Sequence, residues 1–404
     1  MVMMSRLAAC YVVNNTGGTA WSSSWKKTTV PRPPPPPARL VAFRRRMATN
    51  MVTTTAAGAT CSGRESTTMT AAETAEVLRS LDGWAESNLL PLLKPVDESW
   101  QPHDLLPDSA SPGFRDAVDE LRARAREIPD DYYVCLVGNM VTEEALPTYH
   151  AALNSFVGYD CPSRADAWAR WSRGWTAEEN RHGDLLNRYL YLCGRVDVRR
   201  VEQTIHHLIG SGMRLAAAKC PYRGFIYTAF QERATAISHS NTARRAGALG
   251  DACLARICGA IAGDEKRHEA AYTRVVAELF ARAPDAAVRA LEYMMRERIL
   301  MPAYYMFDGR DPDLFRHYAA VAQRLGVYTT ADYADLVRFF VDRWGVADLG
   351  PGLTAEGRRA QDYVCRLPER VSKMENAQRQ RRGPQEPCRV PFSWVFGRQV
   401  ELQL

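Results

Sequence analysis

Glu178-Glu179-Asn180-Arg181-His182 and Asp264-Glu265-Lys266-Arg267-His268 are two strings written to one pattern, acid-Glu-x-Arg-His. A bare Glu-x-x-His is weak evidence. With 23 Glu and 8 His in the chain, chance alone supplies about half a match. Two strings that also share the extra acid and the arginine are far harder to obtain by accident. On a helix, Glu and His three apart lie on one face and can bind one metal ion together. Outward from each string the apolar residues keep helical spacing. Over 251–282 the stripe is Leu254, Cys258, Ile261, Glu265, His268 and Tyr272. Over 164–193 it is Trp168, Trp171, Trp175, Glu179, His182 and Leu186. A helix over 223–247 offers Phe225, Thr228, Glu232, Thr235 and His239, and one over 131–157 offers Leu136, Met140, Glu143, Pro147 and His150. Four helices thus aim one glutamate each at a common core, and two of them add a histidine.

Four buried carboxylates without partners would be costly or would have to stay protonated. Two ferrous ions remove the problem, since four carboxylates balance their charge and two neutral imidazoles supply nitrogen. One Glu from each of two helices, with Glu-x-x-His from each of two others, is the di-iron carboxylate arrangement of ferritin-like bundles. The competing reading pairs the glutamates with Arg181, Arg233 and Arg267, but those lie off the stripe. The tryptophans at 168, 171 and 175 read as core packing. Pro147 cannot donate to the carbonyl of Glu143, so the helix over 131–157 is expected to kink at a ligand.

From Glu65 onward the remaining chain also reads as helix. Ser111-Pro112 opens a helix to about Glu127, and others are expected near 198–210, 285–298, 312–325, 330–343 and 354–380. Pro391–Phe396 could add a short hairpin strand. The expected fold is all-α: a ferritin-like di-iron four-helix bundle core within one larger helical domain over 65–404. The chain has 404 residues, 46% hydrophobic and 24% charged, enough to bury a sizeable core. No apolar run approaches the roughly 18 residues of a membrane span, which excludes a membrane-inserted enzyme. Ten cysteines show no Cys-x-x-Cys spacing, which fits a reduced compartment with buried thiols.

The formal net charge of +6 is unevenly spread. Residues 1–64 hold nine basic residues, fourteen Ser/Thr and no acid, leaving 43 basic against 46 acidic residues in the rest. That body is a poor nucleic-acid binder. An acid-free, Arg-containing, hydroxyl-rich leader without an apolar stretch is an organelle transit peptide, chloroplast-like here, with cleavage expected between 35 and 65.

Longer strings carry a resemblance. Thr142–Tyr149, Glu178–His182, Gly224–Tyr227, Phe230–Thr235, Asp264–His268, Asp308–Asp311, Ala322–Tyr328 and Pro391–Trp394 are similar to the plant soluble acyl-[acyl-carrier-protein] desaturases, over about 75–404. The resemblance implies a homodimeric plastid stromal enzyme. Its di-iron centre inserts a cis double bond, commonly Δ9, into saturated chains on acyl carrier protein, with O2 and electrons from ferredoxin. It implies that Glu143, Glu179 and His182 belong with one iron and Glu232, Glu265 and His268 with the other, Glu179 and Glu265 bridging. It gives Thr235 a place beside the oxygen pocket, and Trp100 and Asp264 an electron route to His182. Asp264 equally suits an acceptor that orients a histidine.

Rival readings are an iron-binding or iron-storage bundle, a di-iron hydroxylase or radical-generating subunit, and a desaturase relative with altered chain length or regiochemistry. The acidic carrier protein calls for a local basic face, at Arg122, Arg124 and Arg126 or along 366–382. Two departures from stearoyl-type relatives, Phe156 and Leu215, bear on the acyl channel. They predict better use of chains of 16 carbons or fewer.

Overall fold

Both Glu-x-x-His stripes are buried from end to end, so the chain folds about the residues that the spacing singled out. The computed structural model describes residues 71–157, 165–213, 220–381 and 388–402. The leader, its cleavage region and Leu215 lie outside the described residues. So do the 158–164 connection, Arg382 and the side chain of Phe156.

In chain order the helices are α1 (Ala71–Ser80), α2 (Asp82–Asn88), α3 (Pro102–Leu105), α4 (Phe114–Glu127) and α5 (Asp130–Glu143). Then come α6 (Leu146–Val157), α7 (Ala167–Cys193), α8 (Val198–Ser211), α9 (Pro221–Ala248) and α10 (Ala252–Arg282). The last are α11 (Pro284–Glu297), α12 (Leu314–Leu325), α13 (Thr330–Arg343), α14 (Ala355–Cys365) and α15 (Leu367–Arg381). A hairpin, β1 (Cys388–Phe392) and β2 (Arg398–Leu402), follows.

The core is a ring of four helices: α5 packs on α7 and α9, and α10 on α7 and α9. Their ends are set by local chemistry. The Asp166 carboxylate accepts from Ala169 N at 3.0 Å to start α7, and Gly194, with φ 65°, stops it. Asp251 does the same for α10, accepting from Leu254 N at 2.9 Å. Pro221 occupies the first position of α9, where its missing N–H has no intrahelical partner to lose. Around the ring, α12 packs on α5, α11 on α9 and α10, and α13 on α9.

Three expected boundaries differ. The helix over 131–157 is two helices, α5 and α6, interrupted at Glu144-Ala145 rather than kinked. Pro147 falls in the first turn of α6 and is exposed, off the core stripe. The helix over 354–380 is likewise two, broken at Arg366, with Pro368 in the first turn of α15. Ser111-Pro112 forms a turn, Phe114 N donating to Ser111 O at 3.0 Å, and α4 begins only at Phe114.

The hairpin is antiparallel, Val390 facing Val400, and the turn it brackets drives Trp394 into the core. Trp394 Nε1 donates to Thr204 Oγ1 at 2.9 Å and Asp197 N to Trp394 O at 2.8 Å, tying the hairpin to α8. Cys135, Cys193 and Cys258 are buried free thiols, whereas Cys388 is exposed. Burial pushes Cys258 up to about 12 and Cys193 to about 11, and Cys135 higher still.

Candidate metal centre

A glutamate placed on each core stripe must face the other three, and the bundle brings all four together with both histidines. Glu143 comes from α5, Glu179 and His182 from α7, Glu232 from α9, Glu265 and His268 from α10. Two overlapping sets result, Glu143/Glu179/His182/Glu265 and Glu179/Glu232/Glu265/His268. Within each set the ligand atoms lie within 4.8 Å of one another. Glu179 and Glu265 belong to both. His182 Nδ1 lies 3.1 Å from Glu265 Oε1 and 3.6 Å from Glu179 Oε2. His268 Nδ1 lies 2.6 Å from Glu179 Oε1 and 3.5 Å from Glu232 Oε2.

The donor set fits metal ions. His182 Nδ1, His268 Nδ1, Glu179 Oε1 and Glu265 Oε1 are buried without a hydrogen-bond partner, although they converge on one another. Burial alone would raise every carboxyl here, and it keeps Glu232 and Glu265 high, reinforced by the charge of Glu179. Glu143 and Glu179 end low, because contacts with His182 and with His239 or His268 outweigh burial. Burial would lower both imidazoles, yet the surrounding carboxylates win and raise them. This interior attracts positive charge, and divalent cations satisfy it better than protons shared among six side chains.

The neighbours hold each ligand. Trp175 Nε1 donates to Glu232 Oε1 at 2.9 Å, so one tryptophan of the packing stripe also serves the site. Thr235 Oγ1 donates to Glu265 Oε2 at 2.5 Å. His239 Nε2 and Glu143 Oε1 are 2.8 Å apart. The outer nitrogen of His268 meets Glu178 Oε2 at 2.8 Å, and that of His182 faces Asp264 Oδ2 at 3.5 Å. The Trp100 ring stacks on His182, centroids 6.1 Å apart. Arg181 and Arg267 pair with Asp264, and Arg267 also with Glu178. Arg233 pairs with Glu269 at 3.0 Å. The arginines therefore serve outer acids and leave the four inward glutamates free.

Sequence reasoning missed His239 and Glu178. His239 stands on the α9 stripe, but its partner is on α5, so no local spacing signals the pair. Glu178 had a signal: it is the first acid of its string, in the position that Asp264 takes in the other.

Two cavities flank the carboxylates. One, with about 380 Å³ of free space, is lined by Tyr149, Leu153, Trp175, Tyr227 and Thr228. The other, of about 430 Å³, is lined by Ser238, His239, Met301, Phe315, Tyr318 and Tyr328. Thr142, Glu143 and Thr235 line both. Among the described residues no helix is long and apolar enough to cross a membrane.

A buried Glu/His cluster of this composition inside four helices is the equipment of a di-iron carboxylate bundle. The family model described as fatty acid desaturase matches residues 73–396, and the chain belongs to that family. Acyl-[acyl-carrier-protein] desaturase 7, chloroplastic, of Oryza sativa subsp. indica is 59% identical over 336 residues, 81% of this chain and 83% of that protein. Stearoyl-[acyl-carrier-protein] 9-desaturase, chloroplastic, of Ricinus communis is 60% identical over 81% of this chain and 82% of its own length. The protein of the same name from Carthamus tinctorius is 59% identical over the same shares.

Proposed function

We propose that this chain is a plastid acyl-[acyl-carrier-protein] desaturase that inserts a cis double bond, at Δ9, into a saturated acyl chain. The observation that carries the reading is the pair of Glu/His sets sharing Glu179 and Glu265 beside a largely apolar cavity lined by Tyr149, Leu153 and Trp175. Support comes from relatives about 60% identical, named for that activity and as chloroplastic. Glu143, Glu179, His182 and Glu265 would hold one iron; Glu179, Glu232, Glu265 and His268 would hold the other. When bound, the pair supplies O2-dependent removal of hydrogen from an unactivated methylene, which no side-chain base achieves because an alkyl C–H is not acidic.

The protein's own part is positioning. Tyr149, Leu153, Trp175 and Tyr227 grip the acyl chain and exclude water, each buried methylene contributing about 0.8 kcal/mol. Thr142, Glu143 and Thr235, common to both cavities, set the point where the chain passes the carboxylates. Thr235 Oγ1 holds a proton there, shared with Glu265. Electrons from ferredoxin enter by way of Trp100 and Asp264. The acid-free leader over 1–64 directs the chain to the stroma, where the domain over 65–404 acts as a homodimer. A preference for 16 carbons or fewer follows from Phe156 and Leu215, and Phe156→Leu moves it back towards 18.

The deciding experiment supplies the iron-loaded protein with O2, reduced ferredoxin and a panel of acyl-carrier-protein substrates. Gas chromatography–mass spectrometry of the products then reads the alkene, its position and its chain length. Iron-loaded protein that forms no alkene from any chain overturns the assignment. Light scattering separates a dimer from the cage of an iron-storage bundle.

A further inference from the structure

The two strings are near copies, but the structure uses their arginines differently. Arg181 donates to Asp264 Oδ2 at 3.2 Å and to Trp100 O at 2.7 Å. Arg267 reaches both outer acids. Its Nη1 donates to Asp264 Oδ1 at 2.8 Å, its Nη2 to Glu178 Oε2, and its Nε to Leu92 O at 2.8 Å. Those acids face the outer nitrogens of different histidines, Glu178 within hydrogen-bond reach of His268 at 2.8 Å and Asp264 standing 3.5 Å from His182, beyond a hydrogen bond. A single guanidinium therefore stands behind both histidines. The backbone joins in, because Lys94 N donates to the remaining Glu178 oxygen at 2.9 Å.

We infer that Arg267 is a shared positioning residue for both metal positions, a fork that fixes Glu178 and Asp264 together so that the two ions are retained as a unit. The inference rests on the iron-centre reading above. An acid held against the outer ring nitrogen keeps the proton there and turns the other nitrogen's lone pair toward the metal. That works only if the acid itself cannot swing away. The planar guanidinium offers donors in fixed directions to two acids and a carbonyl at once, which an ammonium point charge cannot do. Glu178 and Asp264 are carried by different helices, α7 and α10, so the fork also sets the two histidine-bearing helices in register beside the site.

The test follows iron loss from the iron-loaded, full-length protein to a coloured ferrous chelator. In the unchanged protein both ions leave in one slow phase. Glu178→Gln frees one ion per chain while the second stays slow, giving two phases of equal size, and Asp264→Asn does the same for the other ion. Arg267→Gln speeds the loss of both ions by about 10–100-fold, and adding it to the Glu178→Gln/Asp264→Asn pair changes nothing further. Arg267→Lys keeps the charge but not the fork, and it splits the release into two phases; it serves if Arg267→Gln fails to fold. A purely structural arginine would lower the melting temperature yet leave a single phase of release. One slow phase in Arg267→Lys, or unchanged release in folded Arg267→Gln, overturns the shared fork while the iron centre stands. A chain that takes up no iron at all overturns the centre itself.

Discussion

At the scale of the residue, His239 commits its Nε2 to Glu143 Oε1 at 2.8 Å, inside a wall that also holds Asn139 and Ser238. A hydrogen bond to a charged group contributes about 1.5–3 kcal/mol, and partners of this kind change metal affinity by about 10–100-fold. His239→Phe should therefore lose iron from the Glu143 position on dialysis, while His239→Gln, which can still donate, keeps most of it. Metal analysis per chain checks both, and equal retention in the two variants removes His239 from the site's support. The six inward Glu and His residues were legible because a ligand must share the face that packs the core. Glu178 carried a signal in its place at the head of its string, whereas His239 and the arm of Arg267 that reaches Glu178 did not, since each acts between helices and no local spacing records it.

At the scale of the element, α5 and α12 approach so closely that a Cβ at Gly138 would overlap the Tyr318 ring. Tyr318 is itself buried and lines the cavity beside Glu143. Overpacking of this kind costs about 1–3 kcal/mol. Gly138→Ala should lower the unfolding free energy by that amount and reshape the cavity wall, whereas Gly113→Ala, whose Cβ would meet only Ser111 Oγ in ordinary contact at 3.7 Å, should change little. Denaturant titration of the two variants reads the contrast; an unchanged midpoint in Gly138→Ala would mean that the ring moves aside freely. The helix starts at Ala167, Pro221 and Ala252 fall within three residues of the expected 164, 223 and 251, whereas Ser111-Pro112, the start read from capping chemistry, forms a turn. The breaks at Glu144-Ala145 and Arg366 were half readable. Pro147 and Pro368 each forbid a hydrogen bond within a continuing helix, yet each is welcome in the first turn of a new one. Sequence could announce the disturbance, but whether the helix bends or restarts depended on what packs against it.

At the scale of the whole molecule, the last hairpin is locked down by Asp308, which accepts from Ser393 Oγ at 2.5 Å and from the amides of Arg310 and Asp311 at 2.9 and 2.8 Å. Burial would raise this carboxyl, but those three donors outweigh it and hold it below its ordinary value. A depressed carboxyl stabilises the fold above the unfolded value of about 3.9, and that contribution is lost as pH falls through the folded value. Asp308→Asn should therefore show a shallower loss of stability below about pH 4 than the unchanged protein, read as the difference between their acid unfolding curves. Parallel curves would mean that the tie at Asp308 carries no charge-dependent stability. The buried thiols have a consequence of their own. With Cys193 raised to about 11 and Cys258 to about 12, fewer than roughly one in a thousand of either is thiolate near neutrality, and the thiolate is the reactive form. Iodoacetamide followed by mass spectrometry should label Cys388 in the folded chain, and Cys135, Cys193 and Cys258 only after unfolding. These three buried thiols are thus chemically silent. Hydrogen peroxide reaching the site would find those thiols unreactive, and Met301, which lines the cavity with Glu143, is the side chain whose sulfur lies open to it.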